Sequence, residues 1–594
     1  MKKRAADIIM STLTDLGVTD CFAVVGGGAM HLDNALALND KISKYFMHHE
    51  QSCSMAADSY ARISGKPALV CVTSGPGATN AITGVLGAWT DSIPMIVISG
   101  QVRYDISVYS SGLPLRYRGV QECDIVSAVS NMTKYAKTII DPLTVKAETE
   151  KAYAIAMEGR RGPVWLDIPL NVQSAIVETN DLVEYVPDKN PSSSLDEDLD
   201  WVIEEISKAK RPCVLIGSGV VAGDALEEVD AFVNANNVPI VGGAHVADVY
   251  YNEHPLFFGL SGNIGPRAGN YILQNSDLIL AIGNSLGFKQ TGFVQEKFAP
   301  NAKIIMVDVD ETESKKPGLH VDHVVRSDVK QFLCKMNSID KKLEAPSQWL
   351  VYCRSVYDSL DPFEGIGTTE DDERVSSYRF WHGLNEVMSD DAIVCLGMNT
   401  ACSVKVQVGK EKKDQRVITN YGAGAMGFDL PSAIGACVAS GREVICVTGD
   451  GTIMMNLQEM QTIRHYDLPI KIVVFSNEGY SAIRQTSLNY FDGLFIGCTE
   501  ETGVSFPSFK SIAELFGFEY LHCQTNKDLG GALADFAKYK GRVLLEIDQR
   551  IEDPLVPKLM SKMLEDGSFS TPSLEEMYPF LPDEQQKAFM PEWQ

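Results

Sequence analysis

The sequence predicts an α/β protein built from three successive doubly wound parallel-sheet domains. Short apolar runs of strand length, for example residues 68–73, 278–282 and 444–447, alternate with longer stretches in which apolar residues recur at helical spacing. Several of these runs stop at glycine-rich turns, and such alternation is typical of parallel sheets with helices on both faces. A chain of 594 residues is also too long for a single hydrophobic core. Three domains are therefore the natural expectation.

The predicted elements divide the chain into three α/β units and a C-terminal arm. In the first unit, residues 1–187, we expect helices at 5–16, 52–63 and 78–86 and strands at 21–25, 68–73, 95–99 and 164–168. In the second, residues 195–345, we expect strands at 213–216, 239–241, 278–282 and 304–309. In the third, residues 375–550, we expect strands at 393–395, 444–447, 470–475 and 543–547 and a helix at 457–465. Polar linkers at 187–194 and 365–374 separate the units, and residues 551–594 form the arm.

Composition and charge exclude several classes of partner. The chain is 45% hydrophobic and 22% charged, and its formal charge is -26, which argues against a nucleic acid or an anionic membrane as the main partner. An anionic ligand would need a local pocket of amides, metal or cations. The 13 cysteines include no Cys-x-x-Cys pair, which favours reduced thiols in the cytoplasm. Asp7 and Asp15 interrupt the apolar stretch behind the basic start, so we expect an amphipathic helix there and no membrane span.

Two strand ends carry oxygen ligands suited to a hard cation. Gly449-Asp450-Gly451 follows the apolar run 444–447, and Asn477-Glu478-Gly479 follows the run 470–475. Because crossover units bring the carboxyl ends of parallel strands to one edge, Asp450 and Asn477 are expected to lie close together. The neighbouring glycines would let main-chain N–H groups approach a diphosphate. A tight turn with a helix-capping Asp is the alternative for Gly-Asp-Gly alone, but it leaves the second turn unexplained.

A second set of candidates lies in the first unit. Glu50 follows two histidines and opens a helix rich in small residues, so its carboxylate is expected to be partly buried near the sheet. The alternative is a helix-start Glu stabilised by the helix dipole. Ser74-Gly75-Pro76-Gly77 ends a strand and opens a helix, which is a place where main chain can meet a ligand. An ordinary turn between strand and helix explains that motif equally well.

Together these motifs resemble the thiamine-diphosphate-dependent enzymes, and most closely the large subunit of acetolactate (acetohydroxyacid) synthase. The resemblance covers almost the whole chain, including residues 72–80, 91–101, 162–169, 421–434 and 449–480. It implies a pyrimidine-binding first domain, a Rossmann-like middle domain and a diphosphate- and metal-binding third domain. It also implies thiamine diphosphate and Mg²⁺ as cofactors, with Asp450, the Asn477 side chain and the Gly479 carbonyl as metal ligands.

The resemblance assigns further roles. Glu50 would be the catalytic residue, hydrogen-bonded to the cofactor's pyrimidine ring. Met426 would support the folded shape of the cofactor, and the Gly424 carbonyl would accept a hydrogen bond from its aminopyrimidine. The other cofactor-binding candidates are Gly27, Pro76, Asn80, Gln121, Asn399, Thr400, Gly451, Thr452 and Tyr480. Glu50 and the metal-binding residues would come from different subunits, which implies a homodimer or homotetramer.

The implied reaction is a carboligation. A 2-keto acid, with pyruvate the expected donor, would be decarboxylated and its two-carbon unit transferred to a keto acceptor. The acceptor is open, because Thr486 stands where acetolactate synthases typically carry Trp, and Leu286-Gly287-Phe288-Lys289 replaces their Phe-Asp-Asp-Arg. One alternative is acetyl transfer to a nucleotide-linked keto-deoxysugar in surface polysaccharide synthesis; another is a simple 2-keto acid decarboxylase or oxidase. His31, Gln121, Ile483 and Thr486 are the candidates for substrate contact, each with a structural role as the alternative.

The middle unit resembles the domain that binds FAD in acetolactate synthases. Gly217-Ser218-Gly219, Gly265-Pro266-Arg267 and Asp308 after a strand would suit a dinucleotide, so FAD is a possible cofactor. A dinucleotide-dependent dehydrogenase is the fold-level alternative, but its Gly-x-Gly-x-x-Gly fingerprint is missing after the first strand.

Overall fold

The computed structural model describes residues 1–187, 195–243, 247–248, 250–339, 345–361, 363, 371–563 and 567–590. Within these residues the chain forms three six-stranded sheets in which every neighbouring pair of strands is parallel, with helices packed on them. The predicted fold class is therefore confirmed. Most of both predicted linkers, at 188–194 and 364–370, lies outside the described residues. No helix in the described part of the chain is long and apolar enough to cross a membrane.

The first sheet is wound on both faces. Its strands, in spatial order, are Ser43–Phe46, Asp20–Ala23, Leu69–Val72, Met95–Gln101, Pro163–Pro169 and Tyr135–Thr138. Alternate residues of the strands point to opposite faces: Leu69 and Cys71 pack with the helix Ala5–Asp15, and Val70 packs with the helix Glu50–Ser64. The other helices are Met30–Leu38, Pro76–Asn80, Ile82–Thr90, Val108–Ser111, Ile125–Val129, Val145–Met157 and Leu170–Gln173, and a two-stranded antiparallel sheet joins Lys2–Arg4 to Ile176–Glu178.

Sequence patterns missed the two edges of this sheet and misjudged one helix. Ser43–Phe46 and Tyr135–Thr138 are edge strands with half-exposed residues, so neither leaves an apolar run. The helix expected at 78–86 is two helices that meet at Ala81. The Ala81 N–H bonds the Ala78 carbonyl in a tight turn, and the Ala81 carbonyl accepts a hydrogen bond from the Ser54 hydroxyl.

The third sheet repeats the strand order of the first. Its strands are Arg416–Ile418, Ile393–Leu396, Val444–Gly449, Ile470–Ser476, Val543–Asp548 and Glu519–Cys523, so that in both sheets the second strand lies at one edge, beside the first. The helices are Ser377–Val387, Thr400–Val408, Asp429–Ser440, Asp450–Ile453, Glu459–His465, Ser481–Tyr490, Phe509–Phe516 and Leu529–Lys538.

The middle sheet has a different order, with its third strand at one edge and its first strand between the second and the fourth. Its strands are Phe257–Leu260, Ile240–Gly242, Pro212–Ile216, Leu278–Ile282, Lys303–Asp308 and His323–Arg326. This is the order of dinucleotide-binding folds. The helices are Leu195–Lys208, Ser218–Ala222, Leu226–Asn236, Arg267–Asn275, Phe288–Thr291, Val329–Asn337 and Ser347–Ser359. The middle domain therefore shares the class of the other two and differs from them in topology.

The first and third domains pack through equivalent helices, each of which follows the second strand of its sheet. Glu50–Ser64 crosses Asp429–Ser440 so closely that a Cβ at Gly435 would overlap the Ala56 carbonyl oxygen. The Ser59 hydroxyl donates to the Ser432 carbonyl at 2.7 Å across the same contact. Apolar residues of both sheets join one buried cluster there. The crossing therefore holds the first domain against the third.

The C-terminal segment packs on the middle domain. Arg267 donates to the Met577 carbonyl at 2.9 Å, and the Asn270 amide donates to the Leu574 carbonyl at 3.1 Å. The segment includes a small antiparallel pair, Lys562–Met563 with Phe569–Ser570, and the helix Asp583–Ala588. Hydrogen bonds to the middle domain thus fix the position of the C-terminal segment.

Candidate active site

The candidate site lies at the carboxyl ends of the strands of the third sheet, at the point where the strand order reverses. The neighbouring strands Ile393–Leu396 and Val444–Gly449 end there, and each leads into a helix N-terminus. Asn399 caps the helix Thr400–Val408 by accepting a hydrogen bond from the Cys402 N–H at 2.7 Å. Such a reversal point binds ligands in doubly wound sheets, and helix N-termini favour anions.

Asp450 sits in this crevice as a buried carboxylate. It is 3% exposed, and its two oxygens accept hydrogen bonds from the N–H groups of Gly451 at 2.8 Å, Asn477 at 2.9 Å and Gly479 at 3.3 Å. Burial raises the pKa of Asp450 to about 6 despite these N–H groups, because water is excluded. A bound cation would offset that desolvation, so the carboxylate fits the predicted Mg²⁺ site.

The turn that carries Asn477 is held open by specific partners. The Asn477 Nδ2 donates to the Gln549 Oε1 at 3.0 Å, which fixes which side of the amide is oxygen. Gly479 has a φ of 151°, and a Cβ there would overlap the Cys498 carbonyl oxygen. Both residues are thus placed beside Asp450, as the sequence predicted.

Arg484, which the sequence motifs did not identify as a site residue, holds this turn in place. It is 5% exposed and donates to the main-chain carbonyls of Asn477 at 2.9 Å, Glu478 at 3.3 Å and Ile551 at 3.2 Å. Its Nη2 also lies 3.2 Å from the Asn477 Oδ1. An arginine on an amphipathic helix ordinarily faces solvent, and its carbonyl partners leave no mark in the sequence.

Other residues around Asp450 form a surface suited to a diphosphate. The Asn399 Nδ2 is buried without a hydrogen-bond partner among the described residues, and it would lie 3.1 Å from a Cβ at Gly449. The Tyr480 ring occupies the place of a Cβ at Gly451. The Thr400 hydroxyl lies 3.4 Å from that of Ser481. An unpaired amide donor beside glycines and helix N-termini is what a bound anion would complete.

The Gly424–Gly427 turn borders the same crevice. Gly424 has a φ of 63°, and a Cβ there would lie 3.4 Å from the Met398 Cε. The Gly427 N–H donates to the Thr452 Oγ1 at 2.9 Å. Met426, which is half-buried, lies between these two contacts. The structure therefore places the predicted Met426 and Thr452 in the same crevice as the Asn477–Gly479 turn.

The first-domain candidates form a second cluster around Glu50. Glu50 is half-buried, and its Oε2 accepts a hydrogen bond from the Asn80 Nδ2 at 2.9 Å. Its Oε1 would lie 3.2 Å from a Cβ at Gly77, one residue after Pro76. The Gln121 carbonyl occupies the place of a Cβ at Gly75. Glu50, Pro76, Asn80 and Gln121 are thus brought together although they are far apart in sequence.

Gly27 and His31 lie at the edge of this first-domain cluster. They stand in the segment that follows the strand Asp20–Ala23, and the Gly28 N–H of this segment donates to the Thr73 Oγ1 at 3.1 Å. The predicted substrate-contact residues therefore lie on two domains. His31 belongs to the first domain, whereas Ile483 and Thr486 are on the third-domain helix Ser481–Tyr490.

Within one chain the two clusters approach each other without a direct bond. Among the described residues Glu50 makes no hydrogen bond to the third domain; the link is Asn456, which bonds Gln51 and Ser52, each at 3.0 Å.

An open cleft of about 350 Å³ leads away from the diphosphate surface. One wall contains Asn399 and Thr400, and another contains Thr486 on the helix Ser481–Tyr490. The C-terminal segment closes a further side. The complete lining is Met398, Asn399, Thr400, Ser403, Ala482, Gln485, Thr486, Asn489, Tyr490, Leu555, Lys558, Leu559 and Met560.

Comparison with known proteins identifies the family of this chain. Three family models fit the chain: the N-terminal thiamine pyrophosphate (TPP) binding domain over residues 3–128, the central domain of the same enzymes over 199–336, and the C-terminal TPP binding domain over 399–547. A probable acetolactate synthase 2 of Oryza sativa subsp. japonica is 30% identical over 588 residues, covering 94% of this chain and 85% of that protein. Acetolactate synthase 1 of Zea mays is 29% identical over 94% of this chain and 87% of its own length.

The acetolactate synthase of Arabidopsis thaliana is similar to the same degree, at 29% identity over 94% of this chain and 83% of that protein. The chain therefore belongs to the thiamine-diphosphate-dependent enzymes, as an acetolactate synthase-like member. The resemblance inferred from the motifs is confirmed, and thiamine diphosphate is its cofactor.

Gly219, Arg267 and Asp308, three of the middle-domain residues that suggested FAD, have partners within the chain. The Gly219 N–H donates to the Gly283 carbonyl at 2.9 Å, so the two glycine turns touch each other. Arg267 is bonded to the C-terminal segment, and the Asp308 Oδ1 accepts a hydrogen bond from the Asp310 N–H at 2.9 Å. The glycines and charges are thus explained without a nucleotide, and FAD stays a prediction.

Proposed function

We propose that this enzyme decarboxylates pyruvate and transfers the two-carbon unit to a keto acceptor, as an acetolactate synthase-like carboligase. The observation that carries the proposal is Asp450, a buried carboxylate with a raised pKa beside Asn477 at a helix N-terminus. A bound cation would stabilise the ionised form of this buried acid, and a Mg²⁺ ion there would in turn attract an anion such as a diphosphate. The similar proteins named acetolactate synthases support the reaction class.

Each residue has a defined task in this proposal. Asp450, the Asn477 Oδ1 and the Gly479 carbonyl would hold Mg²⁺, and the unpaired Asn399 amide with the main chain near Gly451 would bind diphosphate oxygens. Thiamine diphosphate supplies the electron sink that accepts the electrons of the broken carbon–carbon bond. The chain supplies orientation and proton control.

Glu50 is the proton-controlling group. Its Oε2 is held by the Asn80 amide, which leaves the Oε1 near Gly77 available for a cofactor nitrogen. The carboxylate lies half-buried at the start of the helix Glu50–Ser64, where it would share a hydrogen bond with a cofactor nitrogen.

A second subunit would complete the site. Large apolar side chains are exposed beside both clusters: Val120 next to Gln121, and Leu494 and Ile496 after the helix Ser481–Tyr490. A second subunit packed at these positions would cover these exposed apolar side chains. The proposal is therefore a homodimer, or a pair of dimers, with each site shared between first and third domains of different chains.

The test is incubation with pyruvate, thiamine diphosphate and Mg²⁺, followed by a colour assay for acetoin derived from acetolactate. Glu50→Gln is expected to suppress pyruvate consumption about 100-fold or more while cofactor binding persists, because a general acid–base group contributes that much. Glu501→Gln, a surface change in the third domain, is the matched control. If acetaldehyde is the only product, the protein is not a carboligase. If the Glu50→Gln variant consumes pyruvate at the normal rate, the catalytic role assigned to Glu50 is wrong.

A further inference from the structure

The cleft beside the diphosphate surface has an unusual charge for this protein. The chain carries a formal charge of -26, yet Lys558 is the only charged side chain among the residues that line the cleft in the described structure. The remaining lining is neutral, with hydroxyl and amide groups from Thr400, Gln485 and Asn489. Among the described residues, Lys558 is therefore the one charged side chain that a ligand in the cleft would meet directly.

Lys558 is held in place by its main chain. Its N–H and carbonyl pair with Tyr578 at 3.0 and 2.8 Å, and the next residue, Leu559, donates to the Asn263 carbonyl at 2.7 Å. The side chain is thus presented to the cleft from a fixed segment. This rigidity lowers the entropic cost of binding a ligand there.

The ammonium group lacks a counter-charge. Among the described residues the Lys558 Nζ has no hydrogen-bond or ion-pair partner, although the side chain is half-buried. Partial burial lowers the pKa of Lys558, since water is removed. Most half-buried lysines of this chain do have partners, such as Lys316 with Glu313. A partly desolvated cation facing an open cleft is therefore suited to an anionic ligand.

We propose that Lys558 binds the anionic group, a carboxylate or phosphate, of the keto substrate. The inference rests on the proposed function, in which the donor pyruvate and both acceptors considered, a 2-keto acid and a nucleotide-linked keto-sugar, are anions. Lys558 would be a specificity-determining residue: it would neutralise the substrate's charge, while Asn399 and Thr400, which line the same cleft, would meet the cofactor's diphosphate. The same cation could instead meet the diphosphate itself, so the experiment must separate these two sources of negative charge.

The experiment measures binding by calorimetry on holoenzyme carrying Glu50→Gln, so that no turnover intervenes. Pyruvate and its uncharged methyl ester are titrated into this protein, with and without Lys558→Met. Loss of one charged contact is expected to weaken pyruvate binding about 10- to 100-fold and to leave methyl pyruvate unchanged. Lys558→Arg should retain most of the affinity. Lys562→Met, an exposed lysine four residues further along the same segment, is the matched control.

Two outcomes overturn the proposal. If Lys558→Met binds pyruvate as before, the cation has no role in substrate binding. If it weakens thiamine diphosphate binding by the same factor, the cation serves the cofactor instead. Failure of the proposed function would show differently: the parent protein without substitutions would not consume pyruvate, whatever the calorimetry of Lys558.

Discussion

Replacing Arg484 by methionine removes a buried cation that holds the Asn477–Gly479 turn, the proposed Mg²⁺ site. Two of its bonds reach Asn477, at 2.9 Å to the main-chain carbonyl and 3.2 Å to the Oδ1, and others reach the Glu478 and Ile551 carbonyls. Hydrogen bonds from a charged donor are worth about 1.5–3 kcal/mol each, and relief of the guanidinium's desolvation offsets part of their loss. We expect a net loss of about 1.5–3 kcal/mol at the turn, which corresponds to about 10- to 100-fold weaker Mg²⁺ binding.

The assay is titration of Mg²⁺ into apoprotein at saturating thiamine diphosphate, followed by intrinsic fluorescence or by recovered activity. Arg442→Met is the matched control, because Arg442 is a surface residue of the same domain whose partner, Asp391, is exposed. The control should leave the Mg²⁺ dependence unchanged, since exposed ion pairs contribute little. Equal Mg²⁺ dependence in the Arg484 variant and the parent protein would show that the turn keeps its shape unaided, and the reasoning would fail.

Two further predictions concern pH and packing. Burial raises the pKa of Asp450 to about 6, so the folded apoprotein keeps the Asp450 proton up to a higher pH than the unfolded chain does. The tighter proton binding adds to the free energy of unfolding at low pH, and this added stability is lost as pH rises through 6. Mg²⁺ needs the ionised form, so its affinity should fall about tenfold per pH unit below 6, with proton release seen by calorimetry in two buffers; pH-independent affinity between 5 and 7 would contradict this. Gly435→Ala should destabilise the protein by about 1–3 kcal/mol, because its Cβ overlaps the Ala56 carbonyl. Gly530→Ala, in an open helical position, should instead be neutral or stabilise by up to about 1 kcal/mol, and equal melting temperatures for the two variants would rule out the tight crossing.

Central strands were predictable from the sequence, and edge strands were not. Strands such as Leu278–Ile282 and Val444–Gly449 are buried on both faces, so nearly every residue is apolar and the run is visible. Arg416–Ile418 and Glu519–Cys523 lie at the two edges of the third sheet, and Glu519–Cys523 is mostly half-exposed. Their pairing is decided by neighbours far away in the chain, which a local pattern does not record.

The sequence by itself predicted the two candidate motifs around Asp450 and Glu50, because the motifs taken together match the thiamine-diphosphate pattern although each turn alone has an ordinary structural alternative. Only the tertiary structure decided which residues support them. Arg484 acts on carbonyls that include that of Ile551, and Lys558 enters the cleft because the C-terminal segment folds back on the middle domain. The physical reason is the same in both cases. A main-chain carbonyl or a cleft is not marked by any particular residue type in the sequence, and only the folded chain brings the Arg484 or Lys558 charge to it.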